Sequence, residues 1–230
     1  MTRLEEKHPL AIRWLHWVNF PLLALMIWSG VLIYWANDVY RIGWGETTLL
    51  HLFPDWVYAK LPVARRLAEG MSLHFVFMWL FVLNGVAYVV YLLASGEWKH
   101  VAPGRDSFKD AVAVVFHDLH LTKELPPQGK YTGAQKLAYS GIILMGLGST
   151  ITGLAIYKPA QLSWLANLLG GYQMARWEHF WIMAGFVGFF VIHIAQVIRA
   201  GWGNFRSMVA GCDLVHDVGE RRLNHERAEP

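Results

Sequence analysis

Four histidines stand inside apolar stretches of this 230-residue chain: His16, His74, His179 and His193. An ionisable ring in a membrane-length apolar run is costly, and its presence points to function. His179 and His193 lie fourteen residues apart in one run. Fourteen residues is almost four helical turns, so on a helix the two rings share a face, separated by roughly 21 Å along the axis. That spacing accommodates two stacked prosthetic groups, one towards each membrane surface. Four such histidines make two axial pairs, the ligand set that two b-type haems need.

The elements that must position these rings are membrane helices. The chain is 55% hydrophobic and only 16% charged, with 12 Trp. Such a composition excludes an ordinary soluble domain. Four runs are long enough to cross about 30 Å of hydrocarbon: Trp14–Ala36, Met71–Ala94, about Ala134–Tyr157 and about Trp177–Ala200. Trp14, Trp17, Trp35, Trp98, Trp164, Trp177 and Trp202 fall near their ends, as an interfacial aromatic belt requires. The expected fold is all-α, an integral membrane four-helix bundle. Residues 1–210 form the transmembrane domain and 211–230 a charged cytoplasmic tail. The first run is too long for a cleaved signal core and reads as a retained helix.

Four spans place both termini on one side. With that side cytoplasmic, the inner segments carry 14 Lys and Arg and the outer segments 6, so the expected orientation is N-in, C-in. The outer loop 37–70 carries Trp44, Leu49, Leu50, Leu52, Phe53, Trp56 and Tyr58. It is too apolar for a free loop and is expected on the membrane or under a partner. The inner loop 95–133 contains an amphipathic stretch, Phe108–Leu121, and loop 158–176 a short interfacial helix ended by Gly170 and Gly171.

Depth decides the pairing. His16 lies at the inner end of the first helix and His193 towards the inner end of the fourth. His74 and His179 lie at outer ends. Matching depths gives His16–His193 as the inner pair and His74–His179 as the outer pair. Small residues agree, since a macrocycle needs room where it passes a neighbouring helix. Gly30 follows His16 by fourteen residues, at the outer level, and Gly85 follows His74 by eleven, at the inner level. The third helix lacks histidine but carries Gly141, Gly146, Gly148 and Gly153, and reads as a close-packing wall.

Several functions are disfavoured. Cys212 is the only cysteine, which excludes a disulfide framework, a cysteine zinc site and a cysteine-ligated iron–sulfur cluster within the chain. No C-x-x-C-H occurs, so haem is not attached in the usual covalent way. The net charge of +3 gives no case for nucleic acid. His117 and His120 stand three residues apart without further ligands and read as surface residues. A proton- or metal-coupled transporter is disfavoured by the small number of helices and by the lack of an inverted repeat.

The segments HPLAIRWLHW, ARRLAEGMSLHFVFMWLFVLNGVAYVVY, GLAIYKPAQL and GGYQMARWEHFWIMAGFVGFFVIH carry a resemblance over about residues 8–210. The chain resembles the bacterial di-haem cytochrome b subunits of nickel–iron hydrogenases, formate dehydrogenase and related molybdopterin enzymes. Its fourteen-residue histidine pair is the most specific element, followed by Arg13 to Trp17. The segment Lys158 to Leu162 resembles the thiosulfate-reductase cytochrome b type most. The resemblance implies two haem b groups on His16, His74, His179 and His193. It also implies electron exchange between the quinone pool and an extracytoplasmic redox subunit, here of molybdopterin type, in the bacterial inner membrane. The direction of flow stays open. Asn84-Gly85 and Lys99-His100 are the polar clusters available for a quinone. The alternative is a stand-alone quinone-linked haem oxidoreductase acting on a small oxidant such as superoxide, with Arg65, Arg66 and Arg176 as a basic funnel at the outer haem.

Overall fold

The computed structural model describes residues 2–6, 8–36, 41–44, 47–51, 56, 60, 66–118, 121–122 and 131–216. Among these residues, four helices are long and apolar enough to cross a membrane: α1 (Leu10–Ala36), α2 (Leu67–Ser95), α5 (Gly133–Tyr157) and the Tyr172–Gly203 part of α7 (Tyr172–Ala210). Between α2 and α5 lie the one-turn α3 (Trp98–Val101) and α4 (Ser107–Asp118). The short α6 (Ser163–Leu168) links α5 to α7. The long helices present large apolar side chains outward; Leu144 is 66% and Ile198 74% exposed, as a surface made for lipid requires.

Local chemistry sets the helix limits. Thr132 accepts from the Gln135 backbone N–H at 3.1 Å, and the Gln135 side chain accepts from the Thr132 N–H at 3.0 Å. This reciprocal cap starts α5 by satisfying two donors that the first turn leaves unpaired. Gly96, at φ 74°, ends α2 in the left-handed region where side chains are strained. Gly201, at φ 81°, breaks α7 into two helical pieces. Pro21 lies inside α1, where it removes one backbone donor.

The fold departs from an all-helical reading in two small places. Strand β1 (Thr2–Glu6) pairs antiparallel with β4 (Cys212–His216), Thr2 opposite His216 and Glu6 opposite Cys212. The two ends of the described chain therefore meet, which fits an even number of crossings. In the first loop, β2 (Arg41–Trp44) pairs with β3 (Thr47–His51), with a bulge between Ile42 and Gly43. This loop, expected on the membrane or under a partner, thus carries a strand pair. Its residues Leu52, Phe53 and Tyr58 lie outside the described residues, as do 217–230 of the tail. The expected helices of the second and third loops are present as α4 and α6. On α4, His117 is half-buried rather than a surface residue, while His120 lies outside the described residues.

The chain divides into two compact units, one of Met1–Val18 with Gly188–Pro230 and one of Asn19–Val187. Each contains two of the four histidines.

Candidate functional site

In the unit Asn19–Val187, four helices close around His74 and His179. Gly70 lets α1 and α2 approach. A Cβ there would stand 2.9 Å from Leu32 Cβ and 3.1 Å from both Ile33 N and Ser29 O, so nothing larger fits without movement. One turn further along α2, His74 meets α1: its Nδ1 is 2.9 Å from the Ser29 hydroxyl. Opposite it, His179 on α7 places Nδ1 2.9 Å from the Thr152 hydroxyl on α5. Tyr34 stacks on Phe180 with centroids 4.7 Å apart, tying α1 to α7, and Phe75 meets Tyr157 at 4.9 Å, tying α2 to α5.

These hydroxyls, with the Met26 and Ser149 carbonyls beside them, favour one tautomer of both rings. A hydroxyl has one proton. Ser29 is 2.7 Å from Leu25 O and Thr152 is 2.7 Å from Gly148 O, the carbonyls one turn back. With its proton given there, each oxygen accepts from the ring, so Nδ1 carries the hydrogen and Nε2 the lone pair. Gly30 and Gly153 directly follow the two hydroxyl residues. Their missing side chains leave room beside the rings: a Cβ would stand 3.6 Å from His74 Cε1 and 3.3 Å from His179 Cε1.

The His74 and His179 ring centroids are 6.2 Å apart and their planes cross at 74°. A metal–imidazole bond is about 2 Å, so two rings facing each other across one metal have centroids about 6 Å apart. Among the described residues no group of three or more His, Cys, Asp or Glu converges. A two-histidine set at this separation fits a metal that brings its own equatorial ligands, which is the ligation of haem.

In the unit of Met1–Val18 with Gly188–Pro230, His16 and His193 repeat the arrangement. Their centroids are 6.1 Å apart, with planes at 61°. Aromatic contacts hold these rings. Phe189, one turn before His193, stacks on it with planes 5° apart, and Trp17 meets His16 edge-on at 5.2 Å. Trp17 Nε1 also donates to Met208 O at 3.1 Å, and Arg13 donates to Val209 O beside Gly211. His16 Nδ1 is buried with no hydrogen-bond acceptor among the described residues.

All four expected ligands thus fall into the two expected couples. The small residues divide. Gly30 borders the His74 ring, whereas a Cβ on Gly85 would meet nothing within 4 Å. Gly153, read as part of a wall, lies against His179; of the other wall glycines, a Cβ on Gly148 would stand 3.1 Å from Ile182 Cδ1, and one on Gly141 or Gly146 would meet nothing within 4 Å. Ser29, Thr152 and Gly70 had no signal as site residues. Of the quinone candidates, Asn84 donates to Asn19 at 3.3 Å across α1 and α2, and Lys99 and His100 are exposed on α3. The basic funnel finds little support: Arg66 is paired with Glu69, Arg176 donates to Gln173 at 3.2 Å, and Arg65 lies outside the described residues.

Comparison with known proteins agrees with a haem-ligand geometry. The model of the family described as prokaryotic cytochrome b561 matches residues 7–211. A protein of Azospira oryzae named "Putative protein-methionine-sulfoxide reductase subunit YedZ1" is 28% identical over 191 residues, which span 83% of this chain and 89% of that protein.

Proposed function

Since the chain belongs to the prokaryotic cytochrome b561 family and is a multi-pass haem protein of the bacterial inner membrane, we propose that it carries two haem b groups and passes electrons between the quinone pool and an extracytoplasmic oxidoreductase subunit. One haem is held by His16 and His193 near the cytoplasm, the other by His74 and His179 near the outside. The orientation is N-in, C-in, as the bias of Lys and Arg supports. The relative is named as a subunit of a reductase that acts on protein methionine sulfoxide. The partner here is accordingly a reductase-type subunit, and we assign it to the molybdopterin class on the motif resemblance.

The observation that carries this reading is the two pairs of neighbouring imidazoles, with ring centroids 6.1 and 6.2 Å apart. Haem held by these four histidines would supply a one-electron carrier. The chain's own residues do the rest. His16, His74, His179 and His193 bind as neutral imidazoles. Ser29 and Thr152 keep the proton of the outer pair on Nδ1. The lipid-facing spans exclude water. Quinol meets the inner end and the partner meets the outer loops, so the membrane protein sets the path while the partner sets the substrate.

Pyridine haemochrome assay of the purified chain should give two haem b per polypeptide. Quinol should reduce both, and rapid reoxidation should require the outer partner. One haem per chain, or rapid turnover of superoxide by the isolated chain, overturns the proposal.

A further inference from the structure

Two buried hydroxyls do the same thing to two rings from two different helices. Ser29 on α1 is 0% exposed and Thr152 on α5 is 3% exposed. Each stands 2.7 Å from the carbonyl one turn back and 2.9 Å from a histidine Nδ1, so with its proton given to that carbonyl it accepts from the ring. Each is followed by a glycine that borders the same ring. Neither hydroxyl comes from the helix that bears the histidine it serves.

We infer that Ser29 and Thr152 are positioning residues that lower the redox potential of the haem at His74 and His179 and hold its two ligand planes crossed. The inference rests on the reading that those histidines bind haem. A ring that gives its Nδ1 hydrogen to an acceptor becomes a more basic ligand through Nε2. A stronger donor favours the ferric over the ferrous form in the one-electron couple, and no proton has to move. The same hydrogen bond would restrain rotation of the ring and so preserve the 74° between the two ring planes.

The plainer explanation is that serine and threonine in apolar helices bond back to the preceding turn whether or not a ring is near. Thr150 supplies the comparison within α5. It makes the back-bond to Gly146 O at 2.9 Å, two residues from Thr152, without serving a histidine. The inner pair supplies another, because His16 Nδ1 has no acceptor among the described residues. Among the described residues such hydroxyl seats stand at His74 and His179.

The test is a redox titration with low-temperature electron paramagnetic resonance on the purified full chain, with haem content measured for every variant. Ser29→Ala and Thr152→Val should each raise one of the two midpoint potentials and leave the other unchanged. The double variant should raise it further, and the strongly anisotropic low-spin signal of crossed ligand planes should become less anisotropic for that haem alone. Thr152→Ser, which keeps the hydroxyl, and Thr150→Val should behave as wild type. Two haems with wild-type potentials and spectra in the double variant overturn the inference. So does haem loss in the double variant if both single variants keep wild-type potentials. The underlying ligand assignment fails separately, and visibly: His74→Ala would then retain both haems.

Discussion

Replacing Gly70 with alanine tests whether the spacing of α1 and α2 builds the site of His74 and His179. The new Cβ would lie 2.9 Å from Leu32 Cβ and 3.1 Å from two backbone atoms, Ile33 N and Ser29 O. Non-bonded carbons prefer separations of about 3.5–4.0 Å, so the helices must part by roughly 0.6 Å at this level. No rotamer change relieves the contact, because two of the three neighbours are main chain. His74 is one turn away on the same face of α2, so the shift is passed to it. Its 2.9 Å approach to Ser29 would open to about 3.5 Å, outside the useful hydrogen-bond range.

Overpacking of this kind costs about 1–3 kcal/mol, and the lost hydrogen bond about 1 kcal/mol more. At 1.4 kcal/mol per factor of ten, the haem at His74 and His179 should bind on the order of 10²-fold more weakly. The assay is haem titration of the purified apo-variant, followed by redox-resolved visible spectra that separate the two haems. Gly146→Ala is the matched control, since a Cβ there meets nothing within 4 Å. Should Gly70→Ala take up both haems as tightly as Gly146→Ala, with unaltered potentials, the close crossing does not position His74 and the reasoning is wrong.

The remaining expectations are simpler. His74→Ala and His179→Ala should remove one and the same haem, and His16→Ala and His193→Ala the other; if His16 and His179 variants lose the same haem by redox titration, the pairing is wrong. Gly30→Leu should displace the haem at His74 and His179 only, because its side chain starts 3.6 Å from His74 Cε1, and wild-type haem content would show that the space beside the ring is spare. Thr132→Ala removes the cap of α5 and should cost about 1 kcal/mol, seen as a lower melting temperature with both midpoint potentials unmoved; a shift in either potential would tie the α5 start to the haem sites.

The membrane helices were legible because hydropathy reports the burial that lipid demands. Three C-terminal limits came close: Ala36 and Tyr157 coincide, and α2 ends at Ser95 rather than Ala94, while α7 runs past the expected Ala200 to Ala210 through the break at Gly201. The starts were placed too late, at Trp14, Met71 and Trp177 against observed Leu10, Leu67 and Tyr172. Apolarity marks the hydrocarbon level, whereas the helices begin in the interface, where Arg13, Glu69 and Arg176 sit on helical backbone. The strand pair of β1 and β4 had no local signal at all, since it joins Thr2 to His216 across the length of the chain.

The site divides along the same line. A histidine in an apolar run is rare and costly, so four of them announce themselves, and helical period with membrane depth is enough to sort them into couples. A serine, threonine or glycine in a membrane helix costs little and is common, so Ser29, Thr152 and Gly70 are silent until the helices dock. Gly30 shows how partial the sequence signal is. Its offset of fourteen from His16 put it at the outer level, but not beside Ser29 as one half of a seat for His74. Gly153 does the same for His179 from a helix without histidines, where no offset from a ligand could have found it. The residues proposed to bind are therefore written in the chain as cost, and those proposed to tune are written only in the packing. That is why tests of this site turn on Ser29, Thr152 and Gly70 as much as on the four histidines.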